Sequence, residues 1–376
     1  MNILEEIIRE EIRTVGPITF ARFMELALYH PDYGYYGSGR ARLGKAGDYY
    51  TSPQATPVFG ELFAEVYAAL APLTAGREFV EMGAGEGHFA RDFLLSLRKR
   101  RPDLYGVCRY TIIERSQGMR LRQKETLGNL AEAVAWKEDI GALEGVSGVF
   151  FSNELVDAFP VHRVRKDWDA LRELYVSVEK GKLVEAAGPL STPEIAKYFN
   201  RLGINLQPGT VTEVNVRAAE WMRALSRKLS GGYVITVDYG YSAYDYYSPL
   251  RERGTLMCYY RHTLSEDPFE RVGEQDITAH VDFTTLATLG EENGLRPALF
   301  TDQGSFLVDA AALLEESMRR SGAGQEEMEA LGRGLKTLIH PEWLGGAFRV
   351  LVQSKGAPDT PLFSKARNAV SALFEK

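Results

Sequence analysis

The sequence predicts an α/β protein: a doubly wound parallel sheet preceded by an N-terminal helical segment and interrupted by large α+β insertions. Three observations carry this expectation. From residue 76 onward, apolar strand-like runs alternate with segments of helical period, the pattern of right-handed crossovers that cover a parallel sheet on both faces. A glycine-rich turn containing Gly83, Gly85 and Gly87 follows the first of those runs, where doubly wound sheets bind ligands. Between Leu155 and Val211 the alternation gives way to text that reads as antiparallel strands, and then it resumes.

Taken in order, residues 1–75 read as helices around a Gly/Tyr/Pro-rich segment from His30 to Pro53, and Phe59 to Leu70 forms a helix that Pro72 should stop. An irregular stretch of that length is more often functional than idle. Residues 76–154 form the first half of the core: strand REFVEM, helix HFARDFLLSLRKR, strand CRYTIIE, helix SQGMRLRQKETL, short strand AVAW and buried strand GVFFSN. Residues 155–211 are an insertion, in which VHRVRKD and LRELYVSVEKGKLVEA are antiparallel strands turning at Glu179-Lys180-Gly181-Lys182, and STPEIAKYFNRLG is a helix with a Ser or Thr cap. Residues 212–240 return to the core with helix VRAAEWMRALSRKL and strand YVITVDYG. Residues 241–295 read as a second insertion of loop and helix, and 296–376 supply C-terminal helices and the last strands, RPALFTD and AFRVLVQS.

Composition narrows the function classes. Hydrophobic residues at 45% and charged residues at 25% are those of an ordinary folded protein, which sets disorder aside. A net charge of -7 argues against a nucleic-acid footprint. The one basic run, Arg98-Lys99-Arg100-Arg101, sits at the end of a helix, where cations complement the dipole. Cys108 and Cys258 alone can form neither a disulfide framework nor a thiolate metal centre, and the six histidines lack close ligand spacing, so no metal is expected. The first helix is amphipathic but acidic, unlike a transit or signal peptide, and no run suits a membrane span. A reducing cytoplasm fits this chain, and self-association is left open.

The glycine loop, EMGAGEGHF from Glu81 to Phe89, departs from the dinucleotide pattern G-x-G-x-x-G because the third glycine position falls on His88. It has the form E-x-G-x-G-x-G, which resembles the first motif of class I S-adenosylmethionine-dependent methyltransferases, whose cofactor has no phosphate, although glycines there can also serve a plain tight turn. Glu114 ends the second strand, where a carboxylate accepts hydrogen bonds from ribose hydroxyls or simply meets solvent. Asp139 and Ile140 follow the third strand, placed to hold an adenine amino group and face, or to form a solvated loop. The next strand ends in SNELVDAFPVHR, which brings Asn153, Glu154, Asp157 and His162 to one edge. Two acids three residues apart face a cavity, bind a cation or cap a turn, since burying both unpaired is costly. Asp238 reaches the same edge from VDYGY, and GEQDITAHVDF follows with Asp276, Thr278 and His280, where Asp276 or Thr278 capping a helix and His280 packed in a wall is the structural alternative. Asp48, Thr51 and Ser52, in GDYYTSP, suggest a lid over the cofactor.

Together HPDYGYY, GDYYTSP, EMGAGEGHF, NELVDAFPVHR, VDYGY, YYRH and GEQDITAHVDF resemble the MidA family of methyltransferases, from about Ile18 to Val352. The resemblance implies a Rossmann-like class I methyltransferase fold with S-adenosylmethionine as cofactor and S-adenosylhomocysteine as product. The cofactor's methionine portion would lie along the glycine loop, with Glu81, Gly83, Gly85, Gly87, Glu114, Asp139, Ile140 and Asn153 binding it. Mitochondrial members of the family are respiratory complex I assembly factors that methylate protein arginine, so a protein substrate is implied. Glu154 and Asp157 are the first candidates to hold a guanidinium, and His162, Asp238 or His280 to accept its proton. A small-molecule methyltransferase and an assembly chaperone without catalysis are the competing readings.

Overall fold

A computed structural model describes residues 2–38, 52–340, 344–358, 360, 362 and 368–375. Among the described residues, seven strands run across the main sheet: β1 Glu78–Met82, β2 Arg109–Ile113, β3 Val134–Lys137, β4 Val146–Asn153, β5 Leu229–Tyr241, β6 Arg296–Asp302 and β7 Phe348–Lys355. Their order is β3-β2-β1-β4-β5-β7-β6, and Val281–Asp282 adds a short parallel pairing at the end of β5. Neighbours are parallel from β3 through β5, whereas β7 runs antiparallel to both β5 and β6. The chain reverses its direction of winding between β1 and β4, so the C-terminal ends of β1, β2 and β4 open on one crevice.

Strand periodicity decides which face each residue covers. Phe79, Phe151 and Ile235 point to one side, into a core with Phe59, Phe63 and Phe93 from the helices Val58–Leu70 and His88–Arg100. Val80, Phe150 and Val234 point to the other, against Trp221 and Leu286 from the helices Val216–Lys228 and Phe283–Glu292. Near-continuous apolar strands are therefore required, because both faces are covered. Phe79 and Phe93 meet with ring centroids 4.3 Å apart; truncating such a core ring costs about 3–5 kcal/mol. The edge strand β6 is covered by the C-terminal tail, where the Ala369 N–H donates to the Phe300 carbonyl at 2.7 Å.

The first insertion is an antiparallel sheet of His162–Lys166, Leu171–Glu179, Lys182–Gly188 and Val211–Val214, joined by Ile18–Thr19 from the N-terminus. Lys180 and Gly181 have φ of 49° and 75°, the two left-handed residues of the expected hairpin turn. The helices Ile3–Val15 and Phe20–Tyr29 pack here, placing Leu4, Ile8 and Phe23 beside Val161, Val176 and Ile277.

Residues 241–295 correct the expectation of loop and helix. Met257–Tyr260, Thr263–Ser265 and Asp276–Thr278 form a three-stranded sheet. Strands of three or four residues are too short to display a period, and their hairpin turns on Arg261 and His262 at φ 47° and 61° rather than on the usual Asn-Gly. The helix that follows is capped by Asp282, not by Asp276 or Thr278. The basic run pairs internally: Lys99 with Glu327 at 2.7 Å, Arg100 with Glu61 at 3.1 Å and Arg101 with Glu65 at 2.6 Å. Among the described residues, no helix is long and apolar enough to cross a membrane.

Candidate active site

The crevice is a cleft of about 850 Å³, within the range of small-ligand sites. Its floor is the glycine loop that leaves β1. Gly83, Gly85 and Gly87 take φ of 84°, 49° and 86°, the left-handed region that side chains resist. A Cβ on Gly83 would lie 3.1 Å from Leu155 Cδ1, and one on Gly87 would lie 3.3 Å from Gln123 Cα. Gly87 also caps the helix His88–Arg100, whose first residue lines the cleft. Glu81 lines it too, with its carboxylate buried and accepting from the Tyr110 hydroxyl at 2.6 Å. Burial pushes that carboxyl up to about 8, against the opposing pull of the Tyr110 bond.

The second wall comes from the ends of β2 and β3. Glu114 accepts the Ser116 N–H at 2.7 Å and the Gln123 side-chain amide at 3.3 Å. Burial raises its pKa, and those bonds oppose the rise. Asp139 is exposed, its Oδ1 accepting the Ala142 N–H at 3.0 Å, and Ile140 beside it is buried. Both line the cleft together with Glu114.

Gln123 escaped the sequence reading. It is fully buried, donating to the Gly85 carbonyl at 2.9 Å and to Glu114, and accepting from the Trp136 indole at 2.9 Å. One amide thus ties the glycine loop, the acid at the end of β2 and strand β3. Its signal was a polar residue amid the buried stripe Met119, Gln123, Leu127 of the helix Gln117–Leu127.

The third wall is the end of β4. The Asn153 amide donates to Glu154 Oε1 at 2.8 Å, and Glu154 sits at φ 50° with its N–H on the Val237 carbonyl at 2.9 Å. Asn153 Oδ1 and Glu154 Oε2 are buried with no hydrogen-bond partner among the described residues, and both residues line the cleft. Burial pushes the Glu154 carboxyl up to about 8; bonds from Asn153 and the Ser52 backbone pull it down, while the Asp238 charge adds to the rise. Asp157 is 5% exposed, with Oδ1 unpartnered among the described residues. Burial, then the charges of Asp238, Asp276 and Glu154, raise it well above the carboxylate range.

The remaining sequence candidates stand elsewhere. Asp238 is fully buried behind the cleft: Oδ2 accepts the N–H groups of Leu155 at 3.2 Å, Val156 at 2.9 Å and Asp157 at 3.4 Å, and Oδ1 accepts that of Tyr239 at 2.9 Å. Its lone pairs clamp the 154–157 loop instead of facing a substrate. His162 opens a strand of the insertion sheet, and its Nδ1 lies 2.7 Å from the buried carboxylate of Glu173. His280 lies in a wall between Tyr239 and Tyr241, with centroids 6.2 and 5.2 Å away. Burial, then Arg251, pushes the imidazole down to about 4, which leaves it neutral near pH 7. Ser52 bonds to Glu154 through its backbone, but its side chain is fully buried and turned away, with the hydroxyl 3.3 Å from Gln303 Oε1. Asp48 and Thr51 lie outside the described residues.

Residues 58–301 match the sequence family Methyltransf_28, described as an S-adenosyl-L-methionine-dependent methyltransferase. A COG1565 superfamily protein of Burkholderia thailandensis, whose crystal structure is bound to S-adenosyl-homocysteine, is 32% identical with a TM-score of 0.87, over 98% of this chain and 96% of that one. A native crystal structure of a COG1565 superfamily protein from the same organism gives a TM-score of 0.83 at 32% identity, over 97% and 94% of the two chains. "Protein arginine methyltransferase NDUFAF7, mitochondrial" of Rattus norvegicus is 27% identical over 372 residues, 90% of this chain and 81% of that protein. The NDUFAF7 homolog of Caenorhabditis elegans is 28% identical over 355 residues, 85% and 78% of the two chains.

Proposed function

This chain belongs to the MidA-type family of S-adenosyl-L-methionine-dependent methyltransferases, and from that premise we propose that it methylates an arginine of a partner protein. The residues fit the cofactor. The loop is bare where a Cβ on Gly83 would crowd Leu155, the buried Asn153 Oδ1 has no partner among the described residues, and Glu114 presents a carboxylate held from behind by Gln123. Gly83, Gly85, Gly87, Glu81 and Asn153 would hold the methionine end, Glu114 the ribose hydroxyls, and Asp139 with Ile140 the adenine. When bound, S-adenosylmethionine supplies a methyl group on a sulfonium, ready for in-line displacement.

The observation that carries the acceptor reading is the pair Glu154 and Asp157, each with a buried carboxylate oxygen that has no hydrogen-bond partner among the described residues. An arginine side chain stays charged and its lone pairs are delocalised, so the enzyme must hold one nitrogen in line and take up a proton. Asn153 fixes Glu154 Oε1 and leaves Oε2 for a guanidinium N–H. An arriving cation favours the ionised carboxylate. Glu154, with Asp157 behind it, is therefore the proton acceptor in this proposal, in place of His162, Asp238 and His280. The names of the 27–28% identical relatives support an arginine acceptor, and the MidA resemblance implies a subunit of a respiratory complex I-type assembly, or its counterpart.

The test is methyl-labelled S-adenosylmethionine with an extract of cells lacking this chain, split into proteins and small molecules. Label on arginine in the protein fraction, absent with Glu154→Gln, is expected. Label confined to small molecules would assign the same site to a small-molecule methyltransferase, and no transfer despite cofactor binding would favour the chaperone reading.

A further inference from the structure

Tyr29 and Tyr36 stand in the wall of the same cleft, and the chain spends considerable structure on holding them there. Tyr29 ends the helix Phe20–Tyr29, after which the backbone doubles back, with the Tyr35 N–H on the Ala27 carbonyl at 2.9 Å and the Tyr36 N–H on the Leu28 carbonyl at 2.8 Å. A Cβ on Gly34 would come within 2.4 Å of the His30 nitrogen, and one on Gly37 within 2.2 Å of the His30 oxygen. The segment HPDYGYYG is therefore a tight reversal that admits no side chain at either glycine. The two rings stack, with centroids 5.6 Å apart and planes 25° from parallel.

Both hydroxyls are tied to the side where the acceptor would enter. Tyr29 donates to the Ala158 carbonyl at 2.8 Å, next to Asp157, and Tyr36 donates to Asp276 Oδ1 at 2.8 Å. Burial raises the Tyr29 phenol, and the charges of Asp276, Asp157 and Glu114 add to it. Glu114 and Glu154 line the cleft with both rings. With the oxygens anchored, what the pair offers the cleft is aromatic surface.

We propose that the Tyr29–Tyr36 wall is the specificity determinant of the acceptor site, selecting a flat cation, the guanidinium, over an ammonium or a neutral planar group. The inference rests on the arginine reading above and names the residues that make the choice. A guanidinium can lie against a ring while its in-plane N–H groups reach a carboxylate, here Glu154, which lines the cleft with both rings. An ammonium is compact and strongly hydrated, and cannot do both. A ureido group has the shape without the charge.

The test titrates the full chain, saturated with S-adenosylhomocysteine, with the amides of N-acetylarginine, N-acetyllysine and N-acetylcitrulline, followed by NMR. Wild type should bind the arginine probe about tenfold more tightly than the other two. Tyr29→Leu and Tyr36→Leu should each erase most of that preference, while calorimetry finds the affinity for S-adenosylhomocysteine within about twofold of wild type, so the fold is intact. Saturation of tyrosine ring protons should pass to the side-chain methylenes of the arginine probe in wild type, a readout that requires no variant. Preference unchanged in both variants, or no transfer from the rings, overturns the wall and leaves the arginine reading standing. Absence of any arginine preference in wild type overturns both.

Discussion

Gly83 shows how much one residue decides at this site. At φ 84°, with Leu155 3.1 Å from where a Cβ would stand, Gly83→Ala combines backbone strain of about 1–2 kcal/mol with a contact that moves the loop. Calorimetry should find S-adenosylmethionine bound at least about tenfold more weakly, and an unchanged affinity would mean that the loop does not carry the cofactor. Glu154 makes a prediction in pH. Its carboxyl, up to about 8 in the folded protein, must ionise to hold and deprotonate a guanidinium, so kcat/KM of the wild type should rise with pH through that value, and a flat profile would contradict the assignment. Stability moves oppositely. Between the ordinary glutamate value and 8 the unfolded chain is ionised while the folded one stays protonated. Glu154 therefore costs stability as pH rises, by at most about 1.4 kcal/mol per pH unit. Thermal unfolding of Glu154→Gln against wild type from pH 5 to 8 should show the variant gaining with pH; a constant difference would contradict the raised value.

At the scale of elements, the helix Gln117–Leu127 couples three strands through Gln123. Gln123→Leu should weaken S-adenosylmethionine binding by about tenfold, an amide bond to a carboxylate and one to the loop being lost together. It should also be non-additive with Glu114→Ala in a double-mutant cycle, whereas strict additivity would reduce Gln123 to packing. The long strands and helices were legible because apolar residues on two covered faces impose a period, as in VFFSN and HFARDFLLSLRKR. The sheet of residues 257–278 was not, since three-residue strands have none. Site residues divided on similar lines. Glycines and strand-end acids announce themselves by position, but Asp238 reads as a free carboxylate until its four backbone donors appear. His162 sits close in sequence to Asp157, yet strand pairing carries it to Glu173.

For the whole molecule, the cleft is assembled from segments distant in sequence: Tyr29 from the N-terminus, Glu114 and Glu154 from the core, and Asp276 behind them from the second insertion. Sequence pattern located each segment but not their meeting, because the joining contacts, such as Tyr36 to Asp276, link parts whose spacing along the chain carries no signal. The two ends of the cleft should be separable: Glu114→Ala should lose S-adenosylmethionine, and Glu154→Gln should bind it within about twofold of wild type yet transfer no methyl group. The most direct measurement of the central claim is quantitative mass spectrometry of methylarginine in the proteins of cells that lack this chain, complemented with either wild type or Glu154→Gln. The account predicts an arginine peptide methylated with wild type and unmodified with the variant. Identical arginine methylation in all of these cells would contradict it.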